Sequence, residues 1–161
     1  MPPTRFVADA SLALLARRLR LLGYDVRGLG GARLEELFEA ARREGRAVLT
    51  PSSRHPRRWA DVAVVRVPLG DPALGVRIVA LHHEPAGAPF SRCPECNGVL
   101  ARRHPLEASG EVPGRVLRSA RALHSCPDCG KWYWEGSHVT RLRAWLEAAL
   151  GRPLAPSAAD A

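Results

Sequence analysis

Two Cys-x-x-Cys pairs, Cys93-Pro94-Glu95-Cys96 and Cys126-Pro127-Asp128-Cys129, constrain this 161-residue chain more than any other feature, and they contain all four of its cysteines. Each pair offers two thiolates at the spacing that fills adjacent corners of a tetrahedron, so two pairs complete the shell of a zinc ion. The prolines inside the knuckles, and Asn97-Gly98 and Gly130 after each second cysteine, suit tight turns that aim both sulfurs inward. Two disulfides are the competing arrangement, but they belong to secreted chains, and no apolar signal core stands at the N-terminus. Four thiolates leave no open position for water, so the zinc is expected to be structural. The insert between the knuckles exceeds the commonest zinc-ribbon spacing, so the site should join strands from two hairpins.

Apolar residues make up 46% of the chain, enough for a core, although a ribbon of about fifty residues would depend on its metal. The formal charge is +8, and Lys131 is the only lysine. Guanidinium groups pair phosphates bidentately and stack on bases, so this balance favours a polyanionic partner. A biased genome would also enrich arginine, alanine, glycine and proline together, which makes composition weak support by itself. No apolar run reaches membrane-spanning length. A cytoplasmic protein with reduced thiols is expected, without a membrane partner.

Arg5 to Asp9 reads as a short buried strand ending in an acid. Ser11 to Leu22 carries leucines at 12, 15, 19 and 22 and is expected to be a helix stopped by Gly23. Tyr24-Asp25-Val26 is a second short strand, and the loop through Gly28, Gly30 and Gly31 lacks the ending of a phosphate loop. Ala32 to Glu44 is an amphipathic helix capped by Gly45. Arg46 to Thr50 and Asp61 to Val67 are further strands, with Asp71 to Leu81 a helix between the last strand and a linker at 82–89. Alternating strands and helices argue for a parallel sheet, whose ligands bind beyond the carboxyl ends of the strands, where Asp9 and Ser52 lie. Lys131 to Trp134 is an aromatic strand, Ser137 caps a terminal helix ending near Gly151, and Arg152 to Ala161 is expected to be a disordered tail.

The motifs Phe6-Val7-Ala8-Asp9, the run from Leu15 to Asp25 and Ala41 to Arg46 leading into Leu49-Thr50 precede a more diagnostic second half. That half joins Pro89-Phe90-Ser91-Arg92 and the first knuckle to the second knuckle and Tyr133-Trp134-Glu135-Gly136-Ser137-His138. In this combination, over about residues 5 to 150, the chain resembles the Mut7-C RNase domain family. The resemblance implies an α/β fold with a PIN-like three-layer core and parallel sheet over 1–88, then a small zinc ribbon with its terminal helix over 89–151. It also implies a role in RNA cleavage or processing.

A metal-dependent nuclease gathers several carboxylates from separate strand and helix ends around magnesium or manganese. Asp9 fits the first ligand, and the PIN-like pattern takes another acid from the second helix, where Glu36, or its neighbour Glu35, is expected. The family's third strand typically ends in Thr, any residue, then Asp; here Thr50-Pro51-Ser52 replaces the acid by a hydroxyl. Asp61 is the expected substitute. Two functions stay open: an endoribonuclease using Asp9, Glu36 and Asp61 with Mg or Mn, and a catalytically silent protein that binds RNA or a ribonucleoprotein. A third, a protein-interaction module built on the ribbon alone, is weaker. Residues 1–90 carry fourteen arginines against nine acids, so the surface could hold RNA in either case. Arg17, Arg18 and Arg20, with Lys131, His138 and Arg141, are the expected RNA contacts, and Trp132 or Trp134 could stack on an unpaired base. Zinc is assigned to Cys93, Cys96, Cys126 and Cys129.

Overall fold

The computed structural model describes residues 2–157. Strands β1 (Phe6–Ala8), β2 (Val26–Gly28), β3 (Ala47–Thr50) and β4 (Val64–Arg66) form a parallel sheet in the order β2-β1-β3-β4. Helices α1 (Ala13–Leu21) and α2 (Leu34–Glu44) make the β1–β2 and β2–β3 crossovers, a 3-10 turn lies between β3 and β4, and α3 (Pro72–His82) follows β4. β1 and β3 are buried throughout, which is why they read as unbroken apolar runs.

Alternation along those two strands divides the interior into two layers. Phe6, Ala8, Ala47 and Leu49 face Leu15 and Leu19 of α1 and Val76 and Val79 of α3. Val7 and Val48 face Leu37, Phe38 and Ala41 of α2, with Trp59 stacked on the Phe38 ring at 5.7 Å. The result is the three-layer α/β core expected from the sequence. Gly75 and the β-branched residues of α3 look like poor helix formers, yet the helix forms. The Gly75 position lies so near Leu15 that a Cβ there would meet its Cδ2 at 2.7 Å, so the glycine lets α3 press onto α1.

The second part is an antiparallel sheet of β5 (Ala101–Arg103), β6 (Leu123–Ser125) and β7 (Trp132–Trp134). The long insert folds into a 3-10 turn and α4 (Gly114–Ser119). With β6 these enclose a small core of Ala108, Val112, Val116 and Leu123, onto which Trp132 and Trp134 pack. Helix α5 (Ser137–Leu150), grouped with the ribbon on sequence grounds, lays Leu146 and Ala149 into the α1/α3 layer. The tail expected to be disordered from Arg152 is instead seated as far as Ser157. Leu154 packs on the same layer and its amide donates to Glu147 Oε1 at 3.0 Å, while Ser157 is buried. Residues 158–161 lie outside the described residues. No helix among the described residues is long and apolar enough to cross a membrane.

Polar contacts fix the ribbon against the sheet. Asp25 accepts from Arg46 Nη1 at 2.7 Å and from Asn97 Nδ2 at 2.8 Å, with Arg92 Nη2 at 3.8 Å, while Asn97 Oδ1 accepts from the Val26 amide at 2.9 Å. The linker seals the other side: the amides of Ala86 and Gly87 both donate to the Gly23 carbonyl. Gly23 has φ +92°, and a Cβ there would lie 2.1 Å from the Gly87 oxygen, so no other residue fits.

Burial would push the Asp25 carboxyl up, yet hydrogen bonds from Arg46 and Asn97 and the charges of Arg46 and Arg92 hold it below its ordinary 3.8. A depressed carboxylate contributes stability that is complete above its unfolded value and is lost as pH falls through the folded one. Asp25→Asn is therefore expected to lower stability by roughly 1–2 kcal/mol at neutral pH, because Arg46 and Arg92 lose a half-buried counter-charge and Arg46 keeps only Glu44, at 2.9 Å. In thermal melts the gap to wild type should begin to close as pH falls below about 4, the unfolded value, and vanish only once pH has passed through the depressed folded value, where the wild-type carboxylate is protonated. Equal melting temperatures at pH 7 would show that this contact does not carry the docking.

Candidate functional site

The four cysteine sulfurs form the one group of three or more His, Cys, Asp or Glu ligand atoms, among the described residues, that lie within 4.8 Å of one another. None is in a disulfide. Cys93 Sγ and Cys129 Sγ are 3.7 Å apart, and Cys96 Sγ and Cys126 Sγ 3.3 Å. A tetrahedral zinc with bonds of about 2.3 Å sets its sulfurs about 3.8 Å apart, so the donor set fits zinc.

The knuckles repeat one backbone pattern. In each, the first cysteine's amide donates to the residue five ahead, and the amide four ahead donates back to the cysteine carbonyl: Cys93 with Gly98 and Asn97, Cys126 with Lys131 and Gly130. The residue after the second cysteine is left-handed in both, Asn97 at φ 74° and Gly130 at φ 76°. Gly98 serves close approach, since a Cβ there would come within 2.9 Å of Cys126 Sγ. The first knuckle continues into an antiparallel bridge, Arg92 with Val99, and the second is the turn between β6 and β7. Two hairpins therefore meet at the metal site, as the long insert led us to expect. Tyr133 Oη lies 3.0 Å from Cys93 Sγ. Burial pushes that thiol up, but the Tyr133 hydroxyl and the amides of Cys96 and Glu95 bring it down to about 7. Such donors favour thiolate, the form that binds metal.

The expected acids separate. Asp9 lies just beyond the carboxyl end of β1, beside the β1/β3 boundary where the strand order reverses. That is the position at which open α/β sheets bind ligands. Its Oδ1 accepts from the amide (2.9 Å) and hydroxyl (2.8 Å) of Ser11, and its Oδ2 lies 3.5 Å from the Thr50 hydroxyl. Ser52 is close by in sequence and structure: its amide donates to Thr50 Oγ1, and its hydroxyl accepts from the Arg54 amide. Glu36 sits in the first turn of α2 and closes a capping box, accepting from the Arg33 amide at 2.9 Å and pairing with its guanidinium at 3.4 Å. Glu35 shares that turn.

Asp61 is a correction. It precedes β4 and so lies at the amino edge of the sheet, across the strands from Asp9, where Arg42 of α2 holds both of its oxygens at 2.5 and 3.1 Å. It lies in the turn that leads into β4 and is not placed to complete a site at the carboxyl edge. The acid that sequence reasoning passed over is Asp71. It caps α3 on the carboxyl side of β4, accepting from the Leu74 amide at 2.9 Å, and the pair Asp71-Pro72 was the available signal.

The cationic residues also divide. Arg20, expected at an RNA surface, is 7% exposed. Its Nε donates to the Val26 carbonyl at 2.8 Å, and its Nη1 to the Pro94 carbonyl at 2.8 Å and the Glu95 carbonyl at 3.3 Å. It ties the first zinc knuckle to α1 and β2 and is not available to a phosphate. Arg17 and Lys131 both approach Glu95 Oε2, at 2.9 and 3.6 Å, and remain largely exposed. Arg18 lies over the Trp145 ring at 4.5 Å. His138 and Arg141 are exposed on α5.

Because forming the metal site and folding the ribbon are one event, the purified protein is expected to contain one zinc per chain. Chelation should abolish amide protection in β5, β6 and β7 while β1 and β3 stay protected, as read by hydrogen exchange. A chain without zinc whose ribbon amides are equally protected would refute this. Among comparisons with known proteins, the family model described as Mut7-C RNAse domain matches residues 4–146. No match was found among curated proteins or among solved structures. With the match spanning the parallel sheet, both knuckles and most of α5, the chain belongs to the Mut7-C RNAse domain family.

Proposed function

We propose that this Mut7-C domain is a nuclease-like protein that binds RNA across the carboxyl edge of its parallel sheet, and that the edge serves recognition more than hydrolysis. The observation that supports this best is the donor set around Asp9: one carboxylate contacted by the hydroxyls of Ser11 and Thr50, with Ser52, its amide on Thr50 Oγ1, where a second strand-end acid would stand. Magnesium holds its water tightly and is bound by charged oxygens in octahedral geometry, so hydroxyls are poor replacements. Asp61 faces the other edge, Glu36 is engaged in its own helix cap, and the acids do not converge on one cage. Among the described residues no three carboxylates bring ligand atoms within 4.8 Å of one another, and Asp71 is engaged as the cap of α3, which speaks against a three-acid metal centre.

The same edge is rich in cations. Arg54 lies two residues after Ser52 in the loop after β3, Arg66 ends β4 and donates to the Ser53 carbonyl at 3.0 Å, and Arg33 caps the start of α2 with its side chain 83% exposed. Arg54 and Arg66 are exposed too. A phosphate backbone crossing the sheet at the β1/β3 boundary would pass among these three guanidinium groups. The chain's net charge of +8 adds a long-range attraction of the right sign. Hydrolysis is favoured by one observation of its own: Asp9 Oδ2 has no partner closer than the 3.5 Å contact from Thr50 among the described hydrogen bonds, which leaves it free to take a ligand.

Affinity for RNA is expected to fall with salt, with a log–log slope of about −0.7 for each phosphate paired on a single strand. The double variant Arg54→Glu/Arg66→Glu should weaken binding about tenfold or more. In magnesium or manganese, wild type should cleave no faster than Asp9→Asn, and Ser52→Asp should gain activity by restoring a carboxylate. Divalent-dependent cleavage by wild type that vanishes in Asp9→Asn would overturn the recognition reading in favour of a working nuclease.

A further inference from the structure

A mainly apolar cleft lies where the ribbon meets the α/β core, away from the strand edge. It encloses about 540 Å³ between α1, β7 and the start of α5, within the range of ordinary small-ligand pockets. Its floor is the outward face of the ribbon sheet, where His124 and Tyr133 stand directly opposite each other across the β6–β7 ladder. Leu14 of α1 and Leu142 of α5 form the facing apolar walls. Leu14 is 52% exposed, an unusual position for a leucine on a helix whose other leucines are buried.

Cations line the same space. Arg17, Arg18, Arg92 and His138 border it, against Glu95 and Glu135, and Glu95 is already matched by Arg17 and Lys131. Arg18 is the informative one. Its Nε is buried with no hydrogen-bond partner among the described residues, while its guanidinium rests on the Trp145 ring. A buried donor without an acceptor costs free energy, and the guanidinium that carries it borders the cleft, where its charge favours an anionic oxygen. His124 is buried beside Tyr133 and offers a ring face and ring nitrogens to the cleft.

We propose that this cleft is a subsite for one unpaired nucleotide of RNA, its base against Tyr133 and His124 and its phosphate toward Arg18 and Arg17. The proposal rests on the RNA reading above and makes single-stranded RNA the substrate class. Aromatic and apolar walls accept the π-face of any base, and the bordering arginines suit the phosphate that accompanies it. An apolar peptide would use the walls but bring no negative charge to the arginine border, so the nucleotide is the better fit. A base can enter only when it is unstacked, so a duplex should not reach the floor.

The test uses the zinc-loaded full chain, a short fluorescently labelled single-stranded RNA, a blunt duplex of the same sequence, and adenosine monophosphate. Leu14→Glu places a carboxylate at the mouth of the cleft without touching the core or the zinc. It is expected to weaken single-strand binding about tenfold and duplex binding much less. Adenosine monophosphate should quench tryptophan fluorescence saturably in wild type and not in Leu14→Glu. Equal losses for single strand and duplex would mark a general charge effect and overturn the subsite. Unchanged single-strand affinity in Leu14→Glu, with a loss in Arg54→Glu/Arg66→Glu, would overturn the cleft and leave the strand-edge reading standing. The opposite pattern would uphold the cleft and sink the strand edge. Saturable binding of an apolar peptide, with no response to the mononucleotide, would overturn the proposal in favour of a protein-docking groove.

Discussion

Arg20 and Asp25 hold the two halves of this molecule in one arrangement. Arg20 reaches from α1 to the carbonyls of Pro94 and Glu95 inside the first zinc knuckle, and Asp25 gathers Asn97 and Arg92 of the ribbon with Arg46 of the α/β core. Both side chains are largely withdrawn from water, so each would be costly without its partners. Zinc and docking are therefore linked: the metal shapes the knuckle, and the knuckle presents the carbonyls and the Asn97 side chain that satisfy Arg20, Asp25 and the Val26 amide. The ribbon is not a tethered appendage, and α5 reinforces this by returning from β7 to pack in the α1/α3 layer.

That linkage determines where ligands can meet the protein. The strand edge around Asp9 belongs to the α/β core alone, while the aromatic cleft exists only because the ribbon is held against α1 and α5. In the RNA reading proposed above, a strand would have a different part to play at each. The edge would offer guanidinium groups to the backbone, and the cleft apolar and aromatic walls to a base. Ser52, where the sequence reading expected a strand-end acid, would suit that division of labour. A hydroxyl flanked by Arg54 and Arg66 tolerates a phosphate, whereas a second carboxylate beside Asp9 would repel one unless a cation lay between them.

Much was legible in the sequence because its signals are local. The Cys-x-x-Cys spacing and the turn residues after each knuckle predict the metal geometry, since a knuckle is built from six consecutive residues whose hydrogen bonds close within it. The unbroken apolar runs of β1 and β3 and the leucine spacing of α1 likewise predict a buried parallel sheet covered by helices. Asp9 was legible at a strand end for the same reason. Even there the register moved: β2 begins at Val26, because Tyr24 is drawn into the core with its hydroxyl on the His83 carbonyl, and Asp25 turns toward Arg46.

What the sequence by itself determined, then, was the zinc ligand set, the α/β class and the one acid at the end of β1. Tertiary structure alone decided which charges are free. An arginine in α1 looks the same in sequence whether it faces solvent, as Arg17 does, rests on a tryptophan, as Arg18 does, or is buried on carbonyls more than seventy residues away, as Arg20 is. Asp61 could substitute for a missing strand-end acid only if it lay at the same edge, and the direction of β4 puts it at the other one, in the grip of Arg42. Charge is a property of the residue, but its availability depends on what the rest of the chain places beside it, and those partners are distant in sequence.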